Sequence, residues 1–334
     1  MSSLQRAAIY GIGAYVPQKK LTNGDFVRTL DTSDEWITTR TGIKERRIAA
    51  PGEVTTDLAA KAARAALENA HVSTEEIDLI LVATVTPDYI FPASACILQA
   101  KLGLAQKDIP ALDLNAACSG FIYGLSVAQA YLVSGMARRV LVVGAEILSR
   151  ITDYTDRSSC ILFGDGAGAA LLGPCRAEAP CHPLLSSRIH ADGRRGTALL
   201  LPAGGSARPA SHATVDERQH FMHLDGREVF RFAITKLEDL IKEAMERHEL
   251  KAKDVGAIIP HQANLRIVEA AAKRLDLPLE LFLTNIHKYG NTSSASIPIA
   301  LDEFGRAGIL PRGKPIILVA FGGGLTWASA VVEW

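Results

Sequence analysis

The 334-residue sequence predicts an α/β fold built from two similar halves, and three observations carry that prediction. Apolar runs of strand length alternate with amphipathic helical stretches, the pattern of α/β chains. A helix-then-strand unit early in the chain lines up with one late in it. The composition is that of an ordinary globular protein: 48% hydrophobic, 22% charged, with 36 basic against 36 acidic residues and no net charge. A chain of this length buries a sizeable core, as two domains or one large body. The even charge argues against nucleic acid as main partner, because that demands a strongly basic face.

The start, MSSLQRAAIYGIGAYVP, has no basic stretch followed by a signal-length apolar run, and nowhere do about 18 consecutive apolar residues occur. A cytoplasmic protein without a membrane span is expected. From about Thr56 to Ala70, Leu58, Ala62, Ala65, Ala66 and Leu67 share one helical face, and the apolar run Ile77–Val85 follows as a strand. Residues Glu228–Glu246 repeat the design with Phe230, Ala233, Ile234, Leu237, Leu240, Ile241 and Ala244, followed by the strand Val255–Ile259. At a constant offset Ala66, Glu68, Val72, Ile77, Ile80 and Leu81 fall opposite Ala244, Glu246, Leu250, Val255, Ile258 and Ile259. Downstream, the strand and turn Ala111–Cys118, a helix to about 134–135 and the strand Val140–Gly144 match Leu283–Asn291, a helix to 307–308 and Ile316–Ala320. In this register Cys118 stands opposite Asn291. The expected division is residues 1–174 and 175–334, with a site between the halves. The segment Pro174–Gln219, rich in Ala, Pro, Gly, Ser and His, reads as a strand or two with long loops, a poor place for a core and a rim for a pocket or an interface.

Five cysteines, an odd number without a C-x-x-C pair, argue against a disulfide scaffold or a zinc site and suggest reduced core thiols. Cys118 stands apart. It lies where the apolar run Leu112–Leu114 passes through small residues into a helix carrying Phe121, Leu125, Val127, Ala128 and Leu132. A thiol at a helix N-terminus has its thiolate favoured there, and the thiolate is the nucleophile. A buried structural cysteine beside Gly120 would look similar. Of nine histidines, His261 is the best partner, because it follows the strand Ala257–Pro260 at a strand end, where pockets gather. A satisfied core histidine is the bland alternative. Asn291 reads as a helix cap or, opposite Cys118, as a site residue. The glycine runs Gly164–Gly168 and Gly322–Gly324 match neither dinucleotide nor P-loop spacing, so nucleotide binding is unsupported. Close backbone packing explains both, and for the second the alternative is backbone N–H groups facing a reacting carbonyl.

These residues sit in a set of motifs that runs along almost the whole chain: Asp31-Thr-Ser-Asp-Glu-Trp-Ile37, Arg40-Thr-Gly-Ile43, Ala117-Cys-Ser-Gly-Phe121, Phe163-Gly-Asp-Gly-Ala-Gly168, Pro260-His-Gln-Ala-Asn-Leu-Arg-Ile267, Gly290-Asn-Thr-Ser293 and Phe321-Gly-Gly-Gly-Leu-Thr-Trp327. The sequence resembles the β-ketoacyl-acyl-carrier-protein synthase III family, the initiating condensing enzymes of type II fatty acid synthesis in the thiolase superfamily. Within that superfamily Asn291 follows the Cys-His-Asn pattern of the type III enzymes, against Cys-His-His or Cys-His-Cys elsewhere. The resemblance implies a thiolase-like five-layered α-β-α-β-α fold of two duplicated halves, in a homodimer. It implies that Cys118 takes an acyl group from an acyl-coenzyme A, with the oxyanion held by the N–H groups of Cys118 and Gly323. His261 and Asn291 would then promote decarboxylation of malonyl-acyl-carrier protein and condensation to a 3-oxoacyl product. Coenzyme A thioesters are substrates, and no metal or other cofactor is implied.

For coenzyme A the resemblance implies an adenine sandwich on Trp36 and Arg157, with Thr32, Arg40 and Asn264 along a tunnel. For the acidic carrier protein it implies a basic patch of Arg231, Arg266, Lys273 and Arg274, which composition alone would read as solvated helix charges. Phe91 matches a residue that reaches into the partner subunit's acyl pocket, and with Leu148 it would limit chain length. Arg227, where a smaller polar residue is common, and the long Pro174–Gln219 segment depart from the pattern and bear on primer range. Related enzymes use medium-chain, branched or aromatic acyl groups in secondary metabolism. Two readings from other classes stand beside this one: a papain-type Cys-His-Asn hydrolase, for which the surroundings of Cys118 do not match, and a degenerate subunit of a condensing heterodimer, against which the retention of all three residues argues.

Overall fold

A strand that is apolar on both faces must be covered on both sides, and that requirement organises the chain. In the computed structural model, which describes residues 6–176 and 180–334, one nine-stranded sheet contains β1 (Ala7–Tyr15), β2 (Leu79–Ala83), β3 (Ala111–Leu114), β4 (Val140–Ile147), β5 (Asp165–Pro174), β6 (His182–Ala191), β7 (Ala257–Pro260), β8 (Pro315–Gly322) and β9 (Thr326–Glu333). The order is β7-β8-β9-β6-β1-β5-β4-β2-β3. About the central β1–β6 contact, where Ala8 pairs with Pro183 and Ile9 with His182, the run β1-β5-β4-β2 mirrors β6-β9-β8-β7.

Six helices cover the strands: α1 (Thr55–Ala70), α2 (Ser94–Lys101), α3 (Gly120–Val133), α4 (Gly226–Arg247), α5 (Leu265–Leu275) and α6 (Ser296–Arg306). Period-two alternation assigns each strand residue to a face. On β2, Leu79 and Leu81 pack with α3 and α6, while Ile80 and Val82 pack with α1 and α2. On β8, Ile316, Leu318 and Ala320 join the same α3–α6 core, while Ile317, Val319 and Phe321 turn to α4 and α5. The layers are thus α1 with α2, the first half of the sheet, α3 with α6, the second half, and α4 with α5: the five-layered arrangement.

The expected long helices form within a residue or two of their predicted ends. Three expectations are corrected. First, no strand forms within Leu283–Asn291: the counterpart of β3 is one bridge, Phe282 to Ile258, matching Ala111 to Ile80. Beyond it Gln262 Oε1 accepts the backbone N–H groups of Asn285 and Ile286 at 3.0 and 3.2 Å, diverting the chain into a helical turn, Ile286–Tyr289. Second, that turn shifts the register. Ala117 and Ser293 both adopt left-handed backbone, φ 46° and 49°, and each opens a 3₁₀ turn that runs into α3 or α6. The counterpart of Cys118 is therefore Ser294, and Asn291 lies three residues before it. Third, part of Pro174–Gln219 belongs to the core, because β6 is a central strand. Its polar sequence hides it: Leu184 is fully buried, Ser187 Oγ donates to Gln129 at 2.9 Å, and His182 and His190 stack on Trp334 and Trp327. Residues 177–179 of that segment lie outside the described residues. Among the described residues no helix is long and apolar enough to cross a membrane.

Candidate active site

A cavity of about 990 Å³ opens where the turn before α3, the end of β7, the turn before α6 and the end of β8 converge, and Cys118, His261, Asn291 and Gly323 all line it. Parallel strand ends and helix starts gather there, as in other α/β sites. Cys118 sits in the 3₁₀ turn Ala117–Ser119 and is buried. A Cβ on Gly322 would lie 2.6 Å from the Cys118 backbone nitrogen, so glycine is what lets the end of β8 approach the nucleophile's N–H. Gly323 follows on the cavity wall.

Burial pushes the Cys118 thiol up to about 12; the Ser293 hydroxyl pulls it down, and the nearby Glu146 carboxyl adds to the rise. The helix N-terminus leads one to expect a favoured thiolate; dehydration, the largest influence here, acts in the opposite direction and favours the protonated thiol. His261 is likewise buried, and dehydration lowers its imidazole to about 3. Its backbone N–H donates to Val319 at 2.7 Å, its Nδ1 lies 2.7 Å from Ser296 Oγ, and its ring meets Phe321 edge-on at 5.5 Å. Burial therefore favours the uncharged form of both reactive groups.

Asn291 is held on three sides. Its N–H donates to Leu162 at 2.8 Å, its carbonyl accepts from Gly164 at 2.9 Å, and its Oδ1 accepts the Ser293 N–H at 2.8 Å. The last bond is a capping contact that engages the acceptor end of the amide and leaves its NH₂ end to the cavity. The Gly164–Gly168 run itself supports this strand end and does not line the wall.

The helix Asp34–Thr41 brings Trp36 and Arg40 to the wall, and Arg157, Leu148, Asn264 and Arg266 complete it. The Arg157 and Arg40 guanidinium carbons lie 4.8 and 4.9 Å from the Trp36 ring centroid, and Arg157 also donates to the Asp31 carbonyl. Asn264 caps α5 by accepting the Arg266 N–H at 2.9 Å. Thr32 is not on the wall, and its buried hydroxyl has no hydrogen-bond partner. Phe91 does not line this chain's cavity; it lies with Tyr89 and Ile90 on the surface, at 84%, 64% and 85% exposure. Arg231 on α4 and Arg266, Lys273 and Arg274 on α5 are exposed on two packed helices, with Arg274 3.5 Å from Glu238 and Arg266 over the Phe230 ring. Arg227 is exposed beside Gly226 at the cavity mouth. Of the five cysteines, Cys118 and Cys160 are buried, Cys96 is exposed, and Cys175 and Cys181 are intermediate, so the expectation of core thiols holds for a minority.

Sequence reasoning missed Ser293, Ser294, Ser296 and Glu146 around the triad. One signal was available: Glu146 is the lone acid in the otherwise apolar strand Val140–Ile147.

Family models described as 3-oxoacyl-[acyl-carrier-protein (ACP)] synthase III and its C terminal match residues 112–193 and 245–334. The β-ketoacyl-[acyl-carrier-protein] synthase III of Caldanaerobacter subterraneus subsp. tengcongensis is 53% identical over 98% of both chains. The chain belongs to the β-ketoacyl-[acyl-carrier-protein] synthase III family. It is therefore an acyltransferase of the condensing class. The synthase of the same description from Fusobacterium nucleatum is 48% identical over 99% of both chains. The crystal structure of 3-oxoacyl-[acyl-carrier-protein] synthase III from Aquifex aeolicus VF5 is 45% identical, covers 98% of this chain and 100% of its own, and superposes with a TM-score of 0.88.

Proposed function

We propose that the protein catalyses the decarboxylating condensation of a short acyl-coenzyme A, such as acetyl-coenzyme A, with malonyl-acyl-carrier protein, giving 3-oxoacyl-acyl-carrier protein, coenzyme A and carbon dioxide and so initiating fatty acid synthesis. The convergence of Cys118, His261 and Asn291 on one cavity, at the glycine-rich end of β8, carries this reading.

Cys118 sulfur attacks the thioester carbonyl, the carbon–sulfur bond to coenzyme A breaks, and the thiol proton leaves with the coenzyme A sulfur. Backbone N–H groups of Cys118 and Gly323 hold the oxyanion, each worth roughly 2.7–4 kcal/mol. Malonyl-acyl-carrier protein then enters. Its thioester carbonyl accepts hydrogen bonds from His261 and from the Asn291 NH₂, the carboxylate leaves as carbon dioxide, and the resulting enolate carbon attacks the acyl-cysteine and expels the Cys118 thiolate, which takes up a proton from water to restore the resting thiol. An uncharged imidazole suits this role, since its one N–H can donate to and polarise the carbonyl. No metal or redox cofactor is required, because loss of carbon dioxide drives the reaction.

Trp36 and Arg157 would take the adenine of coenzyme A, entering by parting the direct stack, with Arg40 and Asn264 along its arm. Arg231, Arg266, Lys273 and Arg274 would dock the acidic carrier protein. We propose two duplicated halves, 1–174 and 175–334, in a cytoplasmic homodimer whose Phe91 closes the partner's acyl pocket beside Leu148. Intact-mass analysis with a panel of acyl-coenzyme A primers tests the reading. An acyl adduct that vanishes in Cys118→Ala is expected, with His261→Ala and Asn291→Ala still acylated but unable to release carbon dioxide from malonyl-acyl-carrier protein. Absence of an adduct with every primer overturns it.

A further inference from the structure

Glu146, near the end of β4, is completely buried, and none of its hydrogen-bond partners is a cation. Its Oε2 accepts from Thr86 Oγ1 at 2.6 Å, Thr84 Oγ1 at 3.2 Å and the Val85 N–H at 3.1 Å, an N–H that also lies 3.3 Å from Oε1. The Thr86 and Thr84 oxygens themselves accept backbone N–H groups, of Ile147 at 2.9 Å and of Thr86 at 3.0 Å, so their own protons point to the carboxyl. Ser294 Oγ lies 3.0 Å from Glu146 Oε1 and 2.8 Å from the Ala83 carbonyl. A hydroxyl has one proton and cannot serve two acceptors. A hydrogen on Oε1 satisfies the whole group: Glu146 donates to Ser294 Oγ, and Ser294 donates to Ala83. Burial favours the same neutral form.

The duplication gives this cluster its place. The match that carries Cys118 onto Ser294 also carries Val140 onto Ile316 and Glu146 onto Gly322. Gly322 lies against the Cys118 turn, and Glu146 lies against the Ser294 turn. Gly144, two residues earlier, leaves room where a Cβ would collide with the Ser294 carbonyl. The second half thus keeps a copy of the nucleophile turn, with a serine at its tip.

We propose that Glu146 is a positioning residue for the condensation, held as the neutral acid, which clamps the Ser293–Ser294 turn and through it the Asn291 amide without setting a negative charge beneath Cys118. The path is short: Glu146 holds Ser294, and the N–H of the adjacent Ser293 holds Asn291 Oδ1 at 2.8 Å. A carboxylate here would oppose the thiolate, both oxyanions and the enolate. The other polar groups facing it are the Cys118 thiol and the Ser293 hydroxyl, which lies close to both the thiol and the carboxyl.

The role given to Asn291 rests on the condensing reading, so the test has one arm that does not. In that arm, Cys118 alkylation by iodoacetamide is followed from pH 7 to 9 in wild type and E146Q. Replacing a neutral acid by a neutral amide should leave the rate within about twofold, whereas removing a charge raises the thiolate fraction about tenfold per pKa unit; a rise of that size overturns the neutral form. In the second arm, acyl adduct formation and carbon dioxide release are measured with acetyl-coenzyme A and a purified malonyl-loaded bacterial acyl carrier protein. E146A and S294A should acylate yet lose about tenfold or more in carbon dioxide release, with E146Q restoring most of the E146A loss. Release equal to wild type in E146A or S294A, or no rescue by Gln, overturns the clamp. If E146A does not fold, S294A and E146Q still decide. Failure of wild type to release carbon dioxide speaks against the condensing reading alone, and the alkylation arm still judges the protonation of Glu146.

Discussion

His261 can donate from Nε2 to a thioester carbonyl only if Nδ1 is the bare nitrogen, and the Ser296 hydroxyl at 2.7 Å is placed to donate a hydrogen bond to a bare Nδ1. Ser296→Ala is expected to leave acylation near wild type and to lower malonyl-dependent carbon dioxide release by about tenfold, because the tautomer loses its support; equal losses in both half-reactions would refute this. The same burial sets a pH dependence of stability. His261 stays neutral in the fold down to about 3, whereas the unfolded chain protonates near 6.5. The unfolded state therefore binds the extra proton below pH 6.5, and stability is lost as pH falls from 6.5 toward 3. Between pH 6.5 and 5 the loss is about 2 kcal/mol, and urea denaturation should show it in wild type and not in His261→Gln. Cys118 behaves in the opposite sense: its thiol titrates at about 12 in the fold against 9 unfolded, so its contribution is lost above pH 9. At this scale the sequence named the nucleophile and its partners. It could not show that both rest uncharged, because dehydration depends on what the rest of the chain stacks around them.

Helix α4 joins stability to the cavity. Asp225 caps it by accepting the N–H groups of Arg227 and Glu228 at 3.1 and 3.0 Å, and its first turn supplies Gly226, Val229 and Phe230 to the wall. Asp225→Ala should cost about 1 kcal/mol of stability and raise KM for acyl-coenzyme A more than it lowers kcat, which steady-state kinetics will separate. Gly322→Ala should abolish Cys118 acylation while the protein stays folded, because the added methyl strikes the nucleophile's backbone nitrogen; a normal acyl adduct by mass would count against the assigned oxyanion site. Elements were legible where one residue's own periodicity decides them. Helices α1 and α4 carry continuous apolar faces and match their expected bounds closely, whereas β6 falls where a strand or two at the rim is expected and turns out central, because serines and histidines cover it through side-chain hydrogen bonds and ring stacking rather than apolar alternation. The shift from Asn291 to Ser294 as the counterpart of Cys118 came from Gln262, which reaches across to reroute residues 285–286, a long-range contact without a local signature.

At the scale of the molecule, Tyr89, Ile90 and Phe91 form an exposed apolar tip that a homodimer would bury. Phe91→Glu is expected to shift the protein toward monomer in sedimentation and to lower condensation by about tenfold or more; an unchanged dimer with unchanged primer range would exclude the tip from the interface. Two-fold similarity of the halves was readable from residues alone, since each half repeats the same apolar spacing and both must cover the same two-faced strands. So were the family motifs and the identity of Cys118, His261 and Asn291. Only the tertiary structure decided that α3 and α6 share one middle layer and that four strand and turn ends meet at one cavity. It also placed a buried acid, Glu146, behind that cavity, against the second half's copy of the nucleophile turn. Periodicity specifies which face of an element is buried, but what that face meets is set by packing between segments far apart in the chain.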